Sequence, residues 1–123
     1  NIIFLQNISE KLKVNLLVNC RCLVLPSTSR SESFGISLIE AASLKKPVIT
    51  TDINSGNASI VINNYNGFII KAKSTYDLVK KCNYMLIENF EAKIMEKNNY
   101  HRFKAFYTLE KMVKKIVKIY QSI

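Results

Sequence analysis

Four short, almost continuously apolar runs, separated by segments of helical periodicity, constrain this chain more than any other feature. Residues 2–6, 21–25, 48–51 and 67–71 have strand length and lack the strict apolar–polar alternation of a sheet with one wet face. Strands of that kind need cover on both faces, and the segments between them can supply it. Ser9 can cap a helix carrying Leu12, Leu16 and Leu17 on one side, and 34–44 has apolar residues at helical spacing until Lys45-Lys46-Pro47 ends it. Ser74 or Thr75 can cap a helix with Asp77 in its first turn and Leu78, Val79, Cys82, Met85 and Leu86 on its apolar side. Two more helical stretches, about 91–104 and 109–121, end the chain. The fold class expected is α/β: a Rossmann-like parallel sheet of about four strands covered by helices, with right-handed crossovers placing the loops that follow the strands along one edge.

The 123 residues suffice for one modest core and leave no room for a second domain. A hydrophobic content of 48% and a mean hydropathy of +0.04 fit a water-soluble globular class. No apolar run approaches the roughly 20 residues that span a bilayer, and the first residues carry neither a basic segment nor a small-residue cleavage site, so a cytoplasmic location is expected. Three cysteines, an odd number, read as reduced thiols; Cys20 and Cys22 are expected to share one face of a strand as small buried hydrophobes. The chain opens on Asn1 inside an apolar run and is expected to be a piece of a longer protein.

Chemistry concentrates at one junction. The run Pro26-Ser27-Thr28-Ser29-Arg30-Ser31-Glu32-Ser33-Phe34-Gly35-Ile36-Ser37-Leu38-Ile39-Glu40-Ala41-Ala42 leads from a strand into a helix expected to start at 33–35. Its first amides and positive dipole end would face whatever sits there. Glu32 lies at the mouth and Glu40 about two turns in, between Ile39 and Ala41-Ala42, where a charge needs a partner. Two carboxylates seven residues apart, Phe-Gly after the first, Ala-Ala after the second and Pro47-Val48-Ile49 downstream resemble the donor-site signature of retaining glycosyltransferases of family 4, whose fold is GT-B.

That resemblance implies a nucleotide diphosphate sugar as donor and a glycan or lipid-linked acceptor. Glu40 would accept hydrogen bonds from the ribose hydroxyls. Glu32 would hold the hydroxyls of the transferred sugar as the catalytic-site carboxylate, and Ser33, Phe34, Gly35 and Ile36 would approach sugar and diphosphate. Gly56 belongs to the loop 52–57, which takes the place of a family loop with two adjacent glycines; Ser55-Gly56 and Ser59 depart from that pattern. Sugar transfer with retention, no metal and no cofactor are implied. So is an incomplete protein: residues 1–123 would be part of the C-terminal donor domain, 1–87 forming its sheet and 88–123 its last helices. The N-terminal acceptor domain and the Arg and Lys that hold the leaving diphosphate would lie upstream, leaving the fragment itself inactive.

A net charge of +9 favours anionic partners without choosing among them. Lys111, Lys114, Lys115 and Lys118 fall on one face of the last helix, opposite Met112, Val113, Ile116 and Tyr120, a pattern that allows a weak contact with an anionic membrane at its inner face. The alternative class is a non-catalytic nucleotide- or nucleic-acid-binding module on a Rossmann-like half. No nucleic acid is expected, because the aromatics sit at apolar periodic positions and do not interleave with Lys or Arg. His101 stands alone in a polar helical segment and reads as solvated surface.

Overall fold

The computed structural model describes residues 2–29, 34–54, 56–87 and 90–122. Among them the sheet has three strands, β1 (Leu23–Leu25), β2 (Val48–Asp52) and β3 (Gly67–Lys71), all parallel and in the order β1-β2-β3. The register places Leu23 beside Val48 and Val48 beside Gly67. A Cβ at Gly67 would run into the Val48 carbonyl oxygen, so glycine there permits the close approach of β3 to β2.

Side chains alternate between two cores, as the two-residue period of a strand requires. Leu23, Leu25, Val48 and Ile69 face one side, where Leu17 of α1 (Glu10–Asn19), Leu38 and Ala41 of α2 (Ile36–Ser43) and Ile60 of α3 (Asn57–Ile60) cover them. Val24, Ile49, Phe68 and Ile70 face the other side, against Leu78, Cys82 and Met85 of α4 (Thr75–Leu86) and Ala92 and Met95 of α5 (Phe90–Arg102). The central strand is the most deeply covered, Val48 and Ile49 being fully buried on opposite faces.

The expected caps are in place. Ser9 Oγ accepts from Leu12 N at 3.3 Å and Ser74 Oγ from Asp77 N at 3.2 Å. Several expectations need correction. Residues 2–6 form no strand: they pair with no other strand among the described residues, and Ile2, Ile3, Phe4 and Leu5 are exposed, so the run has neither ladder nor cover. The sheet therefore has three strands where about four are expected. On α1 only Leu17 is buried; Leu12 and Leu16 remain exposed. Cys20 and Cys22 lie outside any strand and go to different cores, Cys20 beside Leu17 and Cys22 beside Cys82, because Cys20 ends α1 and Cys22 precedes β1. Burial pushes the Cys22 thiol up to about 11, with Cys82 and Cys20 adding in the same direction.

The long helix expected at 91–104 stops at Arg102 and gives way to one π-helical turn (Phe103–Tyr107) before α6 (Leu109–Gln121). Thr108 caps α6, its Oγ1 accepting from Lys111 N at 3.4 Å. No helix among the described residues is long and apolar enough to cross a membrane.

Candidate donor-binding site

Parallel strands bring their carboxyl ends to one edge, and the loops leaving that edge are where such sheets hold ligands. Here β1 leaves through Pro26 and β2 through Asp52 toward Gly56 and α3. Glu32, Ser33 and Arg30 lie outside the described residues. Phe34, Gly35, Ile36, Glu40 and Gly56 lie within them.

Gly35 sets the entry to α2. It adopts φ 69° and ψ 57°, the left-handed conformation that side chains rarely tolerate, and serves as the N-cap. Its carbonyl accepts from Leu38 N at 2.9 Å. The helix proper therefore begins at Ile36, later than expected, because Gly35 itself is not helical. Glu40 then lies one turn into α2, not two, on the same face as Ile36. Ile36 and Phe34 are exposed, while Gly35 is buried beneath them. Phe34 also meets Ile39, Tyr107, Met112 and Ile116 around an apolar groove of about 290 Å³ between α2 and α6.

The partner that Glu40 needs is Lys13 of α1. Its Nζ donates to Glu40 Oε1 at 2.8 Å and also reaches Glu10 Oε1 at 3.0 Å. The hydrogen bond to Glu40, then that to Glu10, raises the Lys13 ammonium above its ordinary value. An ionised carboxylate has about four acceptor positions, so a bond from Lys13 at one oxygen leaves capacity for a pair of hydroxyls. Sequence reasoning missed Lys13. Its only local signal is a position three residues after Glu10, which reads as a surface pair; the long-range partner appears only when the fold brings Lys13 of α1 to Glu40 of α2.

Gly56 is partly buried just before α3, and a buried polar scaffold fixes that helix. Asn57 Nδ2 donates to Thr50 Oγ1 at 3.2 Å, and Thr50 Oγ1 donates to the carbonyl of Leu25 at 3.2 Å. At the other end, Arg102 donates to the carbonyls of Ser59 at 2.7 Å and Ile60 at 3.2 Å, and the Tyr107 hydroxyl donates to Ser59 at 3.0 Å. Asn66 Nδ2 donates to the Ile60 carbonyl at 3.0 Å and to Asn99 Oδ1 at 2.9 Å. These side chains satisfy the last carbonyls of a helix too short to stand on its own bonds. Ser59 thus contributes its carbonyl to the scaffold, and its hydroxyl turns back to the carbonyl of Gly56 at 2.6 Å.

Among the described residues no cluster of three His, Cys, Asp or Glu side chains is placed to hold a metal ion. What the arrangement offers is a glycine-opened helix start, a carboxylate oriented by a lysine, and beside them the short helix α3 held at both ends.

The chain is similar to several known proteins. The family model described as Glycosyl transferases group 1 matches residues 1–102. O-antigen chain mannosyltransferase C of Escherichia coli is 28% identical over 123 residues, all of this chain and 33% of that protein. The D-rhamnosyltransferase WbpZ of Pseudomonas aeruginosa is 31% identical over 108 residues, 88% of this chain and 28% of that protein. The chain thus spans about a third of the length of these curated relatives. In fold it is similar to HepE of Anabaena, a structure in complex with UDP, with a TM-score of 0.82 and 20% identity over 88% of this chain and 29% of that one.

Proposed function

Because the chain belongs to the Glycosyl transferases group 1 family, we propose that it is the donor-binding part of a retaining, metal-independent glycosyltransferase of family 4 type. The parent protein moves a hexose from a nucleotide diphosphate sugar to a glycan or lipid-linked acceptor. The mannosyl and D-rhamnosyl transfers named for its relatives support a hexose.

The single observation that carries the reading is the build of α2: a left-handed Gly35 opening the helix at the sheet's carboxyl edge, with Glu40 one turn on and held by Lys13. In this reading Glu40 accepts from the two vicinal ribose hydroxyls while the hydrogen bond from Lys13 keeps its carboxylate aimed. The backbone of Ser33, Phe34, Gly35 and Ile36 approaches the sugar and diphosphate, Gly35 allowing close contact because it has no Cβ. Glu32 holds the hydroxyls of the transferred sugar as the catalytic-site carboxylate. Gly56 lines the nucleotide side.

Cleavage of the glycosidic bond builds negative charge on the departing diphosphate beside two carboxylates, and one helix terminus is too weak to offset it. Cations from the part of the parent protein upstream of these residues supply the balance, and closure against the acceptor domain excludes water. Residues 1–87 form the sheet of the donor domain and 88–123 its last helices, and the fragment alone is inactive. The parent works in the cytoplasm, the lysine face of α6 making at most a weak contact with an anionic membrane surface.

The test is transfer from a panel of nucleotide sugars by the full-length protein, with Glu40→Ala and Glu32→Ala beside it. Charge-assisted hydrogen bonds contribute roughly 1.5–3 kcal/mol each, so either change should weaken donor affinity about 10- to 100-fold. Folded variants with unaltered donor affinity and rate would remove both assignments.

A further inference from the structure

We propose that Asn57 is a positioning residue for the donor, acting through Gly35; the proposal rests on the donor-binding reading above. Asn57 is 1% exposed, so it cannot touch a ligand itself. What it touches is the turn on which the donor is proposed to lie. A Cβ built on Gly35 would stand 2.5 Å from Asn57 Oδ1 and 3.0 Å from Leu38 Cδ1, so the left-handed turn is seated directly on the Asn57 amide.

That amide is itself fixed from behind. Its nitrogen donates to Thr50, and Thr50, also fully buried, donates to the carbonyl of the last residue of β1. One short chain of hydrogen bonds therefore links the end of β1, the middle of β2 and the start of α3. The end of β1 and the Gly35 turn that opens α2 are both held against it. Nor can α3 retreat, because Arg102, Tyr107 and Asn66 hold the carbonyls of Ser59 and Ile60 at its other end. Interiors this closely packed transmit a displacement instead of absorbing it. Removing the Asn57 amide opens space under Gly35, and the first turn of α2 can settle into it, away from the position that meets the diphosphate.

The experiment is calorimetric titration of the full-length protein with UDP, GDP and dTDP, which separates the dissociation constant from the fraction of molecules competent to bind. A purely structural role would lower the competent fraction and the melting temperature and leave the constant alone. Asn57→Ala is expected to raise the dissociation constant of whichever nucleoside diphosphate the wild type binds by roughly tenfold, the scale of a sub-ångström misplacement. Thr50→Val removes the acceptor of the Asn57 amide at nearly constant shape; it is expected to act in the same direction by a few fold, and it carries the test if Asn57→Ala does not fold. Gly35→Ala should also weaken binding, and adding Asn57→Ala should cost much less in that background, because the clash is with the removed side chain. Unchanged dissociation constants in the folded variants, or strict additivity of the Gly35 and Asn57 changes, would overturn the proposal. A wild type that binds none of the three nucleotides would overturn the donor reading and this proposal with it, a result distinct from a wild type that binds and variants that bind equally well.

Discussion

Two helices of this chain, α2 and α6, carry clear apolar faces and meet opposite fates. In α2, Leu38, Ala41 and Ala42 are buried between the sheet and its helical neighbours, and the one charged residue, Glu40, is held by Lys13. In α6 the periodic pattern is cleaner, with seven apolar residues on one side and four lysines on the other, yet no residue is buried. It meets the rest of the described chain chiefly through the π-helical turn and the groove beneath Phe34 and Ile39. Amphipathicity says that a face is suited to burial; only the neighbours decide whether it is buried.

Substitutions can break or sharpen this contrast. Leu38→Ala should destabilise the domain by about 3 kcal/mol, a large-to-small change at a fully buried site, measured by chemical denaturation. A cost below 1 kcal/mol would mean that α2 is no better covered than α6. Arg102→Ala should cost about 1–2 kcal/mol, since it takes one of two donors from each of the carbonyls of Ser59 and Ile60, leaving Tyr107 and Asn66, and removes the stacking of the guanidinium over Phe106 at 5.4 Å. Amide hydrogen exchange should then accelerate in α3 before it does in β2.

A smaller effect is expected from Lys13→Met, and its pH dependence identifies it. The folded-state value of Lys13 is raised, so the ion pair's contribution is fully present below the ordinary lysine value of 10.5 and is lost as pH rises through the higher folded-state value. The melting temperatures of wild type and variant should differ at neutral pH and converge in strongly alkaline solution. A gap that persists there would assign the effect to the lysine stem. The smallest change should come from Ile116→Ala in the 123-residue chain, under about 0.5 kcal/mol, since its side chain is already 45% exposed. A cost near that of Leu38→Ala would show that α6 has a cover not seen among these residues.

The fold was readable from residue pattern where the pattern is local. Ser9 and Ser74 mark their helix starts by hydroxyls that reach amides three residues on, and 48–51 and 67–71 read as covered strands because both faces are apolar. The run 2–6 has the same composition and fails as a strand, because pairing depends on a second strand at its side. Of the candidate site, Gly35 and Glu40 could be singled out by motif and spacing, whereas Lys13, 27 residues from its partner, and Asn57, aimed back at Gly35 from the next crossover, could not.

Alternating strand and helix patterns already committed this chain to a parallel α/β sheet, and a glycine and two spaced glutamates at a strand-to-helix junction marked its candidate site at the carboxyl edge. Periodicity and capping act over three or four residues and survive in one dimension. Which charge Glu40 would meet, what Gly35 would rest on and whether α6 would be covered were settled by packing alone. The first two contacts join residues 27 and 22 positions apart and the third residues more than 70 apart, and their partners are chosen by the register of the sheet and the lie of the helices across it.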